Sequence, residues 1–554
     1  MRRTGAGRGH SARERPATGV RLRRAGLTVA SSQLQWRQPK PEVTTIPIPP
    51  LALIPLDDRP CNRLFPAQLA EIVALELVTP PRDLLGWFTT PGDCKALACW
   101  LQACPAQHAV VSLDMLCYGG LIAARSDAVD APTALARLHA LRELKHQRPD
   151  LSLLASCCLP RLGVTVSSAD ALARHQDLVE YSVLVDRLER LGDEEARPAL
   201  AQAQARLDPQ VIASYLEVRR RSHEIAQQAL RLVSEGVFAF LILAQEDAAP
   251  CGLHVREQEA LQATVEQLGI TQRVALHPGA DETGMVLMAR HCAAAADRPL
   301  RICADYATDA GSQVIPRYED RPLRDTVASQ IRAAGAEASP PGKADAMLFI
   351  HTPVGEQTEA GDAPPQGQAP FVALQADSVA ERVRFAGLSG AVVGVADLLY
   401  ANGGDPELFA ALERASGGRH LRAYAAWNTA ANTLGTVISQ LCLEVLASAS
   451  GRAAGDASRR FLACRVADDY CYQTHVRSRA VERARTVGAD QFALGAAWEA
   501  VEEYVRAELP PLAASTWSRL MDVAWADLGW EFAVSLPWHR AFEVEVAVQP
   551  APAP

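Results

Sequence analysis

From Leu51 onward, short apolar runs of strand length alternate with longer amphipathic stretches. The runs fall at 51–56, 75–78, 109–113, 151–157, 237–244, 273–276, 300–304, 346–350, 391–396 and 421–426. Runs this short and evenly apolar suit strands buried on both faces, the condition of a parallel sheet. Helix-period stretches lie between them, at 66–74, 133–147, 255–268, 283–295, 323–334 and 406–415. The βαβα alternation predicts an α/β fold with a mainly parallel sheet.

Four stretches depart from that rhythm. Residues 167–235 are rich in Ala, Leu and Arg and predict a helical insertion between strands. Residues 355–368 are dense in Gly, Pro, Gln and acids and predict a loop. After 450 strand signals stop, so 451–554 reads as a helical C-terminal region, with 459–528 helical and a closing strand at 542–548. Residues 1–48 are Arg-rich and too polar to bury a core, which predicts a disordered tail ahead of an α/β region over 49–450.

The chemistry gathers just past the carboxyl end of each strand. Leu56 leads into Asp57, Asp58 and Arg59, Leu113 into Asp114 and Tyr118, and Leu159 into Pro160 and Arg161. Further on come Glu246 and Asp247, then Asp281 and Glu282, then Asp397 with Asn402, and last Trp427, Asn428 and Asn432. Parallel α/β proteins bind ligands at the carboxyl ends of their strands, so this placement favours a site. A closed barrel aims every strand end at one spot, and the spread of polar ends therefore favours a TIM-like barrel. One or two doubly wound, Rossmann-like sheets are the alternative.

For any single Asp, capping the next helix explains the position as well as chemistry does. Successive residues leaving a strand point to opposite sides, so one of Asp57 and Asp58 faces the site while the other pairs with Arg59. Gly119-Gly120 reads as a turn. No phosphate-binding glycine motif and no His spacing for a metal occurs. The acids beside Cys61 and Cys117 oppose thiolate formation.

Composition narrows the partners. Hydrophobic residues are 49% and charged residues 21% of 554, the balance of a globular chain with a large core. A net charge of −9 at pH 7 works against phosphate backbones, whose binding rests on Lys and Arg, so no nucleic-acid partner is expected. No apolar run reaches the ~18 residues of a membrane span, and the start of the chain lacks a secretory apolar segment. Thirteen cysteines, many inside apolar runs, read as reduced thiols; a cytoplasmic protein without a membrane partner is expected.

Several separate segments form a pattern of their own: Ile54-Pro55-Leu56-Asp57-Asp58-Arg59-Pro60, Ser112-Leu113-Asp114-Met115-Leu116, Pro278-Gly279-Ala280-Asp281-Glu282, the run from Ile315 to Pro322, Ala401-Asn402-Gly403, Trp427-Asn428-Thr429 and Leu536-Pro537-Trp538. Together they resemble a bacterial family catalogued as domain of unknown function 4127. The likeness spans roughly 51–548; where the family pattern has Asp-Asp, this chain has Glu246-Asp247. The family name implies no activity.

The residues themselves point to a hydrolase of a small polar substrate, a carbohydrate, working by carboxylate acid/base chemistry. Asp58, Asp114, Glu246 and Asp281 are the candidate acids and bases. Arg59, Tyr118, Arg161, Asp397, Asn402, Trp427, Asn428 and Asn432 are the candidate substrate contacts, with Trp427 as an aromatic platform. No cofactor is required, though the same acids could ligate Mg²⁺ or Mn²⁺ in a metal-dependent hydrolase or isomerase. A non-catalytic small-molecule binder is the third reading. Nothing in the pattern specifies an oligomeric state.

Overall fold

The computed structural model describes residues 47–552 apart from 167–168, 297, 363–366 and 452–454. The Arg-rich tail expected over 1–48 therefore lies almost wholly outside the described residues. Each predicted apolar run forms a strand. The first six strands are β1 (Leu51–Ile54), β2 (Leu77–Val78), β3 (His108–Ser112), β4 (Ser152–Leu159), β5 (Phe238–Gln245) and β6 (Val274–Pro278). They form one parallel sheet in the order β2-β1-β3-β4-β5-β6.

A second parallel sheet contains β7 (Leu300–Tyr306), β8 (Ala336–Ala338), β9 (Ala346–His351), β11 (Val392–Asp397) and β13 (Leu421–Ala425), in the order β8-β7-β9-β11-β13. The short strands β10 (Thr358–Glu359) and β12 (Tyr400–Ala401) pair separately, and β14 (Trp530–Ser535) and β15 (Glu545–Pro550) close the chain as an antiparallel pair.

The TIM-like barrel is not formed. β2 and β6 edge one sheet, β8 and β13 edge the other, and neither sheet closes. Both have the 2-1-3-4-5 winding of doubly wound sheets, in which the strand order reverses beside the first strand. Polar residues at many strand ends misled the barrel expectation, because two open sheets offering their carboxyl edges to one cleft give the same pattern as a ring.

The sheets share a core. Leu53, Ile242 and Met285 belong to the same buried cluster as Leu348, Ala396 and Leu434. Helix Thr283–Ala294 packs against helix Ala430–Ala449 at this joint. Helix Ala430–Ala449 is the one helix among the described residues long and apolar enough to cross a membrane, and 94% of its apolar window is buried inside the protein.

The expected helical insertion holds helices Ala169–Glu189, Arg197–Arg206 and Pro209–Ser234. The last two each start with Pro in the first turn, where no amide bond is lost. The C-terminal region holds helices Asp456–Arg465, Arg477–Thr486 and Trp498–Met521, with a π-helix at Val466–Val476.

Candidate active site

A cavity of about 270 Å³ lies where the carboxyl ends of the first sheet meet loops of the second. The first sheet supplies Arg59 after β1, Arg161 after β4, Glu246 and Asp247 after β5, and Asp281 after β6. The second supplies Tyr318, Asn402 and Asn428, and the C-terminal segment adds Phe492, Trp538, Arg540 and Phe542. A further cavity of about 330 Å³ adjoins it, sharing Leu121, Arg125, Arg161 and Glu246, with Asp114 in its wall.

The backbone is strained around this cleft. Among the described residues, ten that are not glycine have positive φ, and five of them, Asp247, Tyr318, Asn402, Asn428 and Trp538, line the cavity. Such conformations cost on the order of 1–3 kcal/mol each and persist where the surroundings impose them, as at binding sites. Here the surroundings are loop-to-loop hydrogen bonds. The Ala248 amide donates to the Tyr318 carbonyl at 2.8 Å, and the Asn402 amide to the Asn428 carbonyl at 3.0 Å.

The acids at the strand ends are not all caps. Helix Leu113–Tyr118 is capped by Ser112, whose hydroxyl accepts from the Met115 amide, leaving Asp114 free to turn toward β4. There its carboxylate accepts from the Cys158 amide at 2.8 Å. Burial pushes the Asp114 carboxyl up to about 7, with the charge of Glu246 adding to the rise. Glu246 is ion-paired with Arg125 through both carboxylate oxygens. Asp247 pairs with Arg161.

Asp281 likewise caps no helix; Arg59 binds it through Nη1 at 3.2 Å and Nη2 at 2.5 Å. Asn428 donates to it at 3.3 Å, and the Asn432 side-chain oxygen accepts from its amide at 3.2 Å. Burial raises its pKa against the opposing pull of Arg59. Arg59 in turn grips Asp57 at 2.8 Å, so one guanidinium holds two buried carboxylates.

Of the acid candidates, Asp114, Glu246 and Asp281 thus lie along one cleft, and Asp58 does not line it. Asp57 is the partner of Arg59. Asp58 turns the other way, accepting from Trp538 Nε1 at 2.5 Å and from Arg82 at 3.3 Å.

Among the binding candidates, Arg59, Arg161, Asn402 and Asn428 line the cavity, and Asn432 braces Asp281 from behind. Three are placed elsewhere. Trp427 is a core residue, its Nε1 bonded to Thr436 at 3.1 Å and its ring edge-on to Phe65. A Trp in a strand-end motif looks the same whether it faces a ligand or a neighbouring helix. Asp397 is fully buried, accepting from the Asp405 amide and the Tyr424 hydroxyl. Tyr118 lies under Arg221 and lines a separate groove of about 790 Å³ between helices Cys94–Ala103 and Ala131–Gln147. That groove holds none of the strand-end carboxylates.

The aromatic wall comes instead from Tyr318, Phe492, Trp538 and Phe542. Arg59 lies 5.1 Å from the Trp538 ring centroid and Arg540 4.6 Å from it. Arg125 and Arg540 carried no sequence signal, whereas Tyr318 and Trp538 stand within segments that matched the family pattern. Among the described residues, no three His, Cys, Asp or Glu side chains converge to hold a metal ion. Asp468 and Asp469 are held by Arg465 in the interior.

Two open parallel sheets with a strained, charge-lined cleft at their carboxyl edges define the class: an α/β protein with a polar cleft where the sheets meet. The chain belongs to the family described as "Protein of unknown function (DUF4127)", whose profile matches residues 51–547. Neither the curated proteins nor the solved structures contain a match.

Proposed function

We propose that the protein is a hydrolase of a small, hydroxyl-rich substrate, a carbohydrate, acting in this cleft by carboxylate acid/base catalysis. The observation that carries the reading is that Asp114 and Glu246 open on the same cavity in opposed environments. Burial favours the protonated Asp114, while the Arg125 guanidinium supplies the counter-charge of Glu246. A buried carboxyl that keeps its proton beside one held in an ion pair can divide the work of acid and base.

In the reaction Asp114 gives its proton to the leaving oxygen as the glycosidic C–O bond breaks. Glu246 takes a proton from the water that attacks the anomeric carbon. Asp281, pinned by Arg59, orients that arginine and Asn428. Asn402, Asn428 and Arg161 are the hydroxyl-binding groups, with Trp538 and Tyr318 as apolar walls. A cytoplasmic location is supported by the thirteen cysteines, all unpaired.

The test is a panel of aryl glycosides offered to the purified full chain, with and without chelator, beside Asp114→Asn. Turnover that survives chelation and collapses in the variant supports the reading. Turnover restored only by Mg²⁺ or Mn²⁺ assigns the acids to metal chemistry, and binding of a sugar with no turnover makes the cleft a receptor site.

A further inference from the structure

Helix Ala369–Leu388 packs on the second sheet through Ala376, Val379, Ala380 and Val383. Its opposite face carries Phe371, Leu374, Phe385 and Leu388, at 63%, 69%, 60% and 64% exposure. Isolated exposed apolar residues need no explanation, but four large ones along a single helix face do.

The spacing of that face is specific. Phe371, Leu374, Ser378, Glu381, Phe385 and Leu388 are all exposed and keep the alternating three-and-four steps of a coiled-coil seam. The seam reads the same from either end. Reversed, it sets Phe371 on Leu388, Leu374 on Phe385 and Ser378 on Glu381. Its length, 17 steps from Phe371 to Leu388 at a rise of about 1.5 Å, is about 26 Å.

Charge obeys the same symmetry. Asp377 and Arg384 stand on one flank, each one position before a seam residue, and pairing the helix antiparallel with itself sets Asp377 of each copy near Arg384 of the other. Their present contacts, Asp377 with Arg414 and Arg384 with Glu381, are exposed ion pairs of little worth that yield readily. We propose that helix Ala369–Leu388 pairs antiparallel with its counterpart in a second copy of this chain. The two-fold contact is self-complementary, as closed homodimers require. Apolar layers at both ends supply its cohesion. The central Ser378–Glu381 layers, where a hydroxyl donates to a carboxylate, set its register.

Sedimentation velocity of the full chain over micromolar concentrations tests this. The wild type is expected to sediment as two chains, and Leu374→Asp or Phe385→Asp as one, with unchanged circular dichroism. Asp377→Arg and Arg384→Asp each place like charges in contact and weaken the dimer about tenfold, whereas combining them restores it. The restoration is particular to antiparallel self-pairing, because a foreign partner would not carry the compensating charge. A wild type that stays monomeric up to about 100 µM, far above the range of a specific dimer, overturns the proposal. So does a dimer indifferent to Leu374→Asp, or a double variant that fails to recover.

Discussion

Arg59 and Asp281 stand 222 residues apart in the chain and are joined by two buried hydrogen bonds that tie the loop after β1 to the loop after β6. The same guanidinium also holds Asp57. Removing it with Arg59→Met leaves two carboxylates in the interior without their counter-charge. Breaking a buried pair in this way costs about 3–5 kcal/mol. Urea unfolding should show a loss of that size, and a smaller loss for Arg59→Lys, which keeps the charge but not the planar fork.

Asp114 must be protonated to act as the acid. Activity in the cleft should therefore fall as pH rises through about 7, the value to which burial lifts its carboxyl. Asp114→Asn keeps the acceptor for the Cys158 amide and so keeps the fold, but it removes the transferable proton. The expected loss in kcat is about 10²–10⁴-fold, with the alkaline limb of the pH profile abolished. A profile unchanged by the substitution would remove Asp114 from the mechanism.

Glu319 links stability to pH. It is fully enclosed, accepts from the Ala431 amide at 2.6 Å and the Thr326 hydroxyl at 3.2 Å, and is pushed up to about 8 by burial. Its folded pKa lies above its unfolded one, so between the two the folded chain holds a proton that the unfolded chain has released. Stability from this group is therefore lost as pH rises. Glu319→Gln mimics the protonated acid and escapes that loss. Relative to the wild type the variant should gain about 1.4 kcal/mol per pH unit between about pH 5 and 8, read from unfolding curves in matched buffers.

Gly435 sits where helix Ala430–Ala449 meets the start of helix Thr283–Ala294. A Cβ at Gly435 would collide with the Glu282 side chain and press on Val286 Cγ2 at 3.1 Å. Glu282 cannot swing aside, because its carboxylate accepts from the Ala280 amide and from Gln330, each at 2.9 Å. Gly435→Ala should lower stability by about 1–3 kcal/mol, the usual cost of overpacking, despite the better helix propensity of Ala. A variant as stable as the wild type would show the joint between the sheets to be loosely packed.

The strands were readable because burial on both faces demands near-continuous apolar runs, and that demand is local. The helical stretches between them were equally open to reading, as was the placement of acids and amides at strand ends. Asp114, Glu246, Asp281, Asn402 and Asn428, singled out this way, all stand in the walls of the cleft. Asp58 and Trp427 show the limit. Both sit in the same kind of motif as the residues that line the cleft, and only their partners, Trp538 and Arg82 for one and Thr436 and Phe65 for the other, reveal that they are tied away from it.

By itself, then, the sequence determined the α/β class, the parallel strands and the kinds of side chain at their ends, since apolar period and turn chemistry act over a few neighbouring residues. Whether the strands closed into one ring or opened into two sheets was decided only in three dimensions. So was the arrival of Trp538 and Arg540 at a wall begun by Arg59. Those outcomes depend on which edges pair and which faces pack across hundreds of residues, and spacing along a chain carries no record of distance across a fold.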